Sequence, residues 1–212
     1  NLAIQYDDLV NVNVQGIEVN VVNGGGFKAG PSIGFNFGRD EDGSNPLGLL
    51  DATDELIGLG DVDFTIEAGG FVQYSTGQFS GKVAVRQGVN GHEGLVGEAE
   101  LKYNSTFSAF GQTGFFSVGP EISYGDDAFN SAFFDIAPAQ SVASGISEFD
   151  ADGGLNSVGL GASVLLPLGN NFSLVGFAGY DRLIGDIADS SLVQERGSEN
   201  QATLGIFIGY TF

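Results

Sequence analysis

The sequence has no cysteine, few prolines and no long apolar run. The absence of cysteine from its 212 residues excludes disulfides and thiolate metal sites, and it leaves the redox compartment undetermined. The apolar runs extend over only a few residues, far below the roughly 20 that a transmembrane helix needs. A membrane-spanning helix is therefore excluded, and the length fits one sizeable domain over residues 1–212 without a linker.

Basic residues are also scarce. Lys and Arg number 7 against 27 Asp and Glu, so the net charge is −20. Nucleic-acid binding depends on basic side chains that displace counterions from phosphates, and we therefore predict no nucleic-acid partner. The chain begins at Asn1 with no basic-then-apolar leader. This start predicts a processed protein whose signal peptide has been removed, although a truncated chain would begin in the same way.

What the sequence does contain is a two-residue alternation, clearest in the last segment, Asn200–Phe212. One face of this segment is apolar and carries Ala202, Leu204, Ile206, Ile208, Tyr210 and Phe212. The other face is small or polar, with Phe207 as its one bulky residue. A period of two indicates a β-strand, and this contrast between faces is typical of a strand that separates lipid from a polar lumen. The edge strand of a soluble sandwich is the alternative.

The same alternation covers most of the chain. Apolar faces opposite faces of Gly, Ser or charged residues begin near Phe27, Val62, Phe79, Leu95, Phe116, Val158 and Phe172. Most segments run about nine to thirteen residues, close to the nine to eleven needed to cross a bilayer. Aromatic residues recur near the segment ends, as interfacial girdles require. Short connections alternate with long acidic ones near 39–60, 125–154 and 182–199, which are expected to be extracellular loops opposite short periplasmic turns.

We therefore predict an all-β fold, namely a transmembrane, antiparallel up-and-down β-barrel of about 10–12 strands whose C-terminal strand ends on Phe212. The strand number depends on two segments. Gln15-Gly16 is either a hairpin turn, which gives an even number of strands, or a bulge. Residues 128–136 would add an extra hairpin if they are extended. Tyr210 and Phe212 form a candidate signal for the barrel assembly machinery, and we expect Phe207 to pack inside the lumen.

Several segments of the sequence resemble the MipA/OmpV family of outer-membrane proteins. They are Gly119–Asn130, Phe134–Ser141, Gly34–Asp42, Gly58–Val62, Gly91–Leu95, Gly176–Ser190 and Glu195–Asn200. The similarity runs from about residue 26 to the end of the chain. It implies an outer-membrane β-barrel in contact with lipid and lipopolysaccharide, with no established enzymatic activity. One family member is known as a scaffold that binds a lytic murein transglycosylase and a bifunctional penicillin-binding protein, and others are described as porin-like.

The resemblance sets the expected function. We expect a non-enzymatic outer-membrane protein with a structural or scaffolding role linked to peptidoglycan-remodelling enzymes, that is, a periplasmic murein hydrolase or synthase. A narrow porin-like channel for small polar solutes is the alternative. The family carries no catalytic motif, so no catalytic, cofactor-binding or metal-ligating residue is assigned.

The most specific candidate site is a set of charged residues predicted to face inward on neighbouring strands. Its members are Glu67, Lys82, Arg86, Glu98, Glu100, Lys102 and Glu121. Charges in a low-dielectric setting must pair or remain hydrated. The favoured interpretation is a cross-strand ladder that fills and rigidifies a narrow lumen, and the alternative is a polar lining that selects solutes.

Two further motifs are predicted to carry no chemistry. His92, the only histidine, lies in the turn 90–94 without a nearby Ser or a second metal ligand, and we predict a solvated turn residue. The acidic pairs within 40–42, 126–127 and 150–152 resemble the start of a calcium loop but lack its later ligands. Solvated loops are predicted there, with loose binding of divalent ions as the alternative, and Gly24–Gly26 is predicted to be a turn.

Overall fold

A computed structural model describes residues 4–6, 9–13, 16–42, 54–169 and 171–210. Phe212 and Gln15 lie outside these ranges, so the assembly signal at Phe212 stays a prediction, and the choice between hairpin and bulge near Gln15 is judged from the described strands on either side. The strands are β1 (Ile4–Tyr6), β2 (Val10–Asn13), β3 (Gly16–Val19), β4 (Val22–Gly24), β5 (Phe27–Asn36), β6 (Thr65–Thr76), β7 (Phe79–Gly88), β8 (Leu95–Ala109), β9 (Gln112–Gly125), β10 (Gly154–Gly169), β11 (Phe172–Leu183) and β12 (Asn200–Tyr210).

All strands belong to one antiparallel sheet. Eleven of them follow one another from β1 to β12, and β4 lies beside β3 along the same partner strand, β5. The predicted all-β, antiparallel, up-and-down arrangement is confirmed. β2 and β3 pair with Asn13 opposite Gly16, so the N-terminal segment reverses as a hairpin rather than bulging. No pairing between β1 and β12 is found among the described residues, where the sheet is open.

Short helices occupy the long connections. They are a 3₁₀ turn (Asp54–Leu56), α1 (Asp127–Phe134), α2 (Pro138–Ser144), α3 (Gly185–Asp189) and α4 (Ser191–Arg196). The alternative of an extra hairpin at 128–136 is therefore wrong. Local signals explain the helices: Asp126 caps α1 by accepting the Phe129 N–H, and Ser190 does the same for α4. None of the helices in the described ranges is long and apolar enough to span a membrane.

The two faces of the sheet have opposite polarity. On the face that we call outer, Ile33 is 42% exposed and Val72 is 54% exposed, although both are aliphatic. On the inner face, Ser32 is 3% exposed and Thr65 is 0% exposed, although both are polar. The alternation in the sequence therefore places apolar side chains outward and polar side chains inward, the reverse of a water-soluble sheet with a packed apolar core.

The sheet curls around its inner face. Lys82 on β7 forms an ion pair with Glu18 on β3, although β5 and β6 lie between these strands. Strands three places apart lie about 14 Å apart in a flat sheet, because neighbours are about 4.8 Å apart. The contact is most simply made by side chains that meet across a concave surface. On β12, Phe207 stacks on Phe177 of β11 at 5.8 Å on this inner face and Ile206 lies on the outer face, so the predicted facing of both residues is confirmed. Phe207 is 44% exposed, and its packing inside a closed lumen stays a prediction.

The sheet has two unlike ends. At one end, here called the turn end, the described connections between neighbouring strands are short, and cross-strand aromatic pairs cover the outer face: Phe27–Tyr74, Phe79–Tyr103 and Phe172–Tyr210, with ring centroids 4.5, 5.5 and 4.9 Å apart. At the other end the segments 54–64, 126–153 and 184–199 carry the helices. These segments form what we call the cap, and this end is the cap end.

The cap has its own apolar core. Leu59, Ile136 and Ile146 are each at most 1% exposed, and Leu56, Phe149 and Leu192 pack against them. These six residues come from all three long connections, so each connection depends on the other two for its burial. Most buried apolar side chains in the described part of the chain belong to the cap, not to the sheet.

Candidate functional site: the charged inner face beneath the cap

Three charged side chains on adjacent strands form the centre of the inner face. Arg86 on β7 donates from Nε to Glu67 Oε2 on β6 at 2.9 Å and from Nη2 to Glu98 Oε1 on β8 at 2.9 Å. The Glu67 and Arg86 side chains are only 6% and 12% exposed. A Cβ at Gly34 on β5 would lie 2.6 Å from Arg86 Nε and 2.7 Å from Glu67 Oε2. A side chain at position 34 would therefore displace this pair from its present arrangement.

His92 is buried beside this group, so the prediction of a solvated turn residue is wrong. Its side chain is 0% exposed, and Nε2 lies 3.2 Å from Glu67 Oε1. The backbone N–H of Gly94 donates to Nδ1 at 3.0 Å. Since Nδ1 accepts a hydrogen bond, the neutral tautomer carries its proton on Nε2 and donates it to Glu67.

The cap covers His92 from above. The imidazole packs edge-on against Phe129 at 4.9 Å and lies 6.0 Å from Phe133, both on α1. Thr65 Oγ1 accepts the backbone N–H of His92 at 3.2 Å. Both ring nitrogens are thus engaged in hydrogen bonds. This geometry fits a residue that joins the cap to the sheet.

The remaining predicted charges extend the network toward the turn end. Lys82 pairs with Glu18, and its ammonium lies 5.4 Å from the Phe71 ring centroid. Lys102 pairs with Glu100 on the same strand. Glu121 lies opposite Glu100 on β9, and no ion pair is found for it in the part of the chain that the structure describes. Glu18 was not predicted to belong to this group, because an ion pair between β3 and β7 depends on the curvature of the sheet, which the sequence does not show.

The acidic segments of the cap bond to backbone N–H groups. Asp127 Oδ1 accepts from Gly153 at 2.7 Å, Asp135 Oδ1 accepts from Ala151 at 2.7 Å, and Asp186 Oδ2 accepts from Asp152 at 2.9 Å. Asn130, 1% exposed, forms a reciprocal amide pair with Asn156. Of these three carboxylates only Asp127 belongs to a predicted acidic pair, and it fixes the backbone of the cap although it is exposed. Asp150 and Asp152 are exposed, as the prediction of solvated loops requires.

Two further residues at the cap end, Arg39 and Glu195, have shifted pKa values. Arg39 donates from Nη1 to Phe133 O at 2.6 Å, and burial lowers the pKa of its guanidinium while Asp61 opposes that shift. The Ser147 N–H donates to Glu195 Oε1 at 3.2 Å, and hydrogen bonding by Ser147 holds the pKa of Glu195 below its ordinary value. Both residues join segments that are distant in sequence.

A cavity of about 810 Å³ lies along the inner face of β8 to β12. It is lined by polar groups that include Glu100, Lys102, Glu121 and Asp181, and by the rings of Phe115 and Phe177. Within the described residues, no group of three or more His, Cys, Asp or Glu side chains is arranged to hold a metal ion. The inner face can therefore accommodate small polar molecules.

These features define a class: an all-β protein whose single curled sheet has an apolar exterior and a charged interior covered at one end by helices. The sequence profile of the family described as "MltA-interacting protein MipA" matches residues 2–212. The chain belongs to this family, as the resembling segments indicated. No curated protein and no solved structure gives a significant match.

Proposed function

We propose that this protein is a non-enzymatic outer-membrane β-barrel that acts as a scaffold for a murein-cleaving enzyme. The membrane part of the proposal is supported by the exposed aliphatic outer face. From Phe27 to Phe37, two aromatic residues near opposite ends of β5, ten residues span about 33 Å along the strand. A tilt of about 40° projects this length to about 25 Å, the height of the apolar band of outer-membrane barrels.

The same reasoning supports closure and orientation. An unpaired strand edge is not tolerated in lipid, because its N–H and C=O groups have no water to bond, so β1 and β12, the two edge strands, are expected to lie side by side in a closed barrel. Short turns face the periplasm and long loops face outward in such barrels. The turn end is therefore assigned to the periplasm and the cap to the cell surface, where it meets lipopolysaccharide.

The observation that carries the scaffold role is the covered end of the inner face. The Glu67–Arg86–Glu98 group, the buried His92 and the folded cap together fill the cap end with bonded side chains. A barrel filled in this way is poorly suited to free diffusion, and a role through surface contacts accounts for it better. The family description names MltA as an interaction partner of its members, which supports a murein transglycosylase as the bound enzyme.

The scaffold proposal is tested by direct binding. The full-length protein in lipid nanodiscs should bind a purified MltA-type transglycosylase in biolayer interferometry, and it should not bind an unrelated periplasmic enzyme of similar charge. The protein alone should release no soluble muropeptides from purified sacculi. Equal binding to both enzymes, or to neither, would remove the scaffold role.

A narrow channel is the second candidate, and the polar cavity of about 810 Å³ favours it. In planar bilayers the capped protein should give no stepwise current if it is a scaffold. A channel would give unitary steps, and neutralising Arg86 should change their ion selectivity, because Arg86 and Glu98 lie on the inner face. Steps that respond to Arg86→Gln but not to Arg182→Gln, at a residue on the outer-face register of β11, would favour the channel over the scaffold.

A further inference from the structure

The hairpin formed by β8 and β9 extends past β7 at the turn end, and its pairing with β10 stops before its tip, although β10 itself continues to Gly169. Pairing with β7 ends at Tyr103, and pairing with β10 ends at Phe115. The residues between, 107–114, pair only with each other among the described residues. Phe110 at the tip lies seven residues past Tyr103, which corresponds to roughly 23 Å along the strand. We call residues 104–115 the projecting hairpin.

The tip of this hairpin combines two unfavourable features. Phe110 has a φ of +53° and is followed by Gly111 at +75°, so both central residues of the two-residue turn have positive φ. Hairpins favour Asn, Asp or Gly at such positions, because bulky side chains are strained there. The turn at Gly25-Gly26 in the same sheet has positive φ at both positions and contains only glycine. Phe110 is also 92% exposed, the largest exposure of any large apolar residue described.

The composition of the hairpin differs from the rest of the chain. Residues 103–120 contain no Asp, Glu, Lys or Arg, although the protein carries a net charge of −20. Exposed strand edges are usually protected by charges or proline, and the projecting hairpin contains neither. Its unpaired edges and neutral tip are therefore suited to contact with another surface, and the strain at Phe110 is evidence that the aromatic ring is needed there.

The position of the hairpin selects the kind of partner. The aromatic pair Phe79–Tyr103 lies at the base of the hairpin, among the ring pairs that mark the turn end of the outer face. Rings of this kind belong at the lipid headgroups, and the tip lies seven residues past Tyr103 along β8, so we assign it to the periplasmic side of the Phe79–Tyr103 pair. A protein partner with an uncharged pocket fits this tip better than lipid does.

We propose that the projecting hairpin is the docking element for the murein transglycosylase, with Phe110 inserted into an apolar pocket of that enzyme. The inference rests on the proposed function and deepens it, because it assigns the contact to one element at the turn end. An aromatic anchor in a desolvated pocket commonly dominates the affinity of an interface.

The test compares three nanodisc-embedded proteins: wild type, Phe110→Asn and Val142→Asn. Asparagine is favoured at positive φ, so Phe110→Asn should unfold no more easily than wild type. It should nevertheless bind the MltA-type enzyme at least about tenfold more weakly, since loss of an anchor residue has this size. Val142 is 88% exposed on α2 in the cap, and Val142→Asn should bind as tightly as wild type.

A fluorescent label reports the occupant directly. The chain has no cysteine, so Gln112→Cys can be labelled singly with an environment-sensitive dye while Phe110 is kept. The emission should shift when the enzyme is added and stay constant when vesicles of phosphatidylethanolamine and phosphatidylglycerol are added. The same dye at Val142→Cys should respond to neither.

The outcomes separate the two proposals. If wild type binds and Phe110→Asn binds equally well, the hairpin is not the docking element, whereas the scaffold role stands. If wild type does not bind the enzyme, both proposals fall. A dye response to vesicles, or to raised concentration of the protein alone, would assign the hairpin to lipid or to a second copy and overturn the docking proposal.

Discussion

Replacing Ile146 by alanine should open the cap without unfolding the sheet. Ile146 is 0% exposed and lies in a cluster with Leu59 and Ile136. An Ile→Ala change at such a site costs about 3 kcal/mol, from lost burial and from the cavity that remains. Because about 1.4 kcal/mol corresponds to a factor of ten, the open state of the cap should become on the order of 100 times more populated.

The assay is amide hydrogen exchange followed by mass spectrometry. Cap peptides from 126–153 and 184–199 should exchange on the order of 100 times faster in Ile146→Ala, whereas peptides from β6 and β7 should keep their wild-type rates, since local opening leaves strand hydrogen bonds intact. Val142→Ala in the same cap is the control, and it should alter the rates little because Val142 is exposed.

Two results would refute this reasoning. Unchanged exchange in the cap of Ile146→Ala would mean that the cluster does not hold the three connections together. Equal acceleration in the cap and in β6 would mean that the cap and the sheet open as one cooperative unit.

Two other predictions concern single charges. Glu67→Gln should lower the free energy of unfolding by roughly 2 kcal/mol in a urea titration, since the new amide N–H₂ must face Arg86 Nε–H or His92 Nε2–H, both donors. Glu100→Gln, at a residue that is 31% exposed, should lose less than about 1 kcal/mol, and equal losses would contradict the burial argument. The pKa of Glu195 is lower in the folded protein than in the unfolded chain. Glu195 therefore stabilises the cap at pH values above its unfolded-state pKa of about 4.3, and this stabilisation is lost as the pH falls through its folded-state pKa. The test is amide hydrogen exchange of residues 146–149, corrected for the pH dependence of the intrinsic exchange rate. Protection of these amides should fall in acid for wild type, and Glu195→Gln should show no such pH dependence.

The strands and their two faces were predictable because the two-residue alternation of apolar and polar side chains assigns each residue to one face. Ile206 and Phe207 are adjacent in sequence and lie on opposite faces, as a period of two requires. The cap helices were not predicted, because each has only five to eight residues. Such short helices carry no apolar stripe of their own and depend on tertiary packing. Asp126 and Pro138, at helix starts, were the available local signals.

The charged residues were predictable as a group, and their partners were not. Arg86 and Glu98 lie on neighbouring strands, so the sequence brings them together. Lys82 was expected to interact with its neighbours and instead reaches Glu18 across two strands. His92 was misjudged because its burial depends on Phe129 and Phe133, which lie far along the chain. Contacts that depend on sheet curvature and cap packing leave no signal at short sequence range.

The composition of the cap has a consequence for biogenesis. Its core includes Leu192, and Arg196 bonds to Glu55 at 3.1 Å across 141 positions of the chain. Contacts of such long sequence separation form late, because the intervening chain must first be ordered. We therefore expect the cap to assemble only after the last long connection, residues 184–199, has been synthesised. A chain that stops before Leu192 would expose the apolar surfaces of Leu59 and Ile136, the kind of surface by which quality-control proteases recognise an unfinished protein.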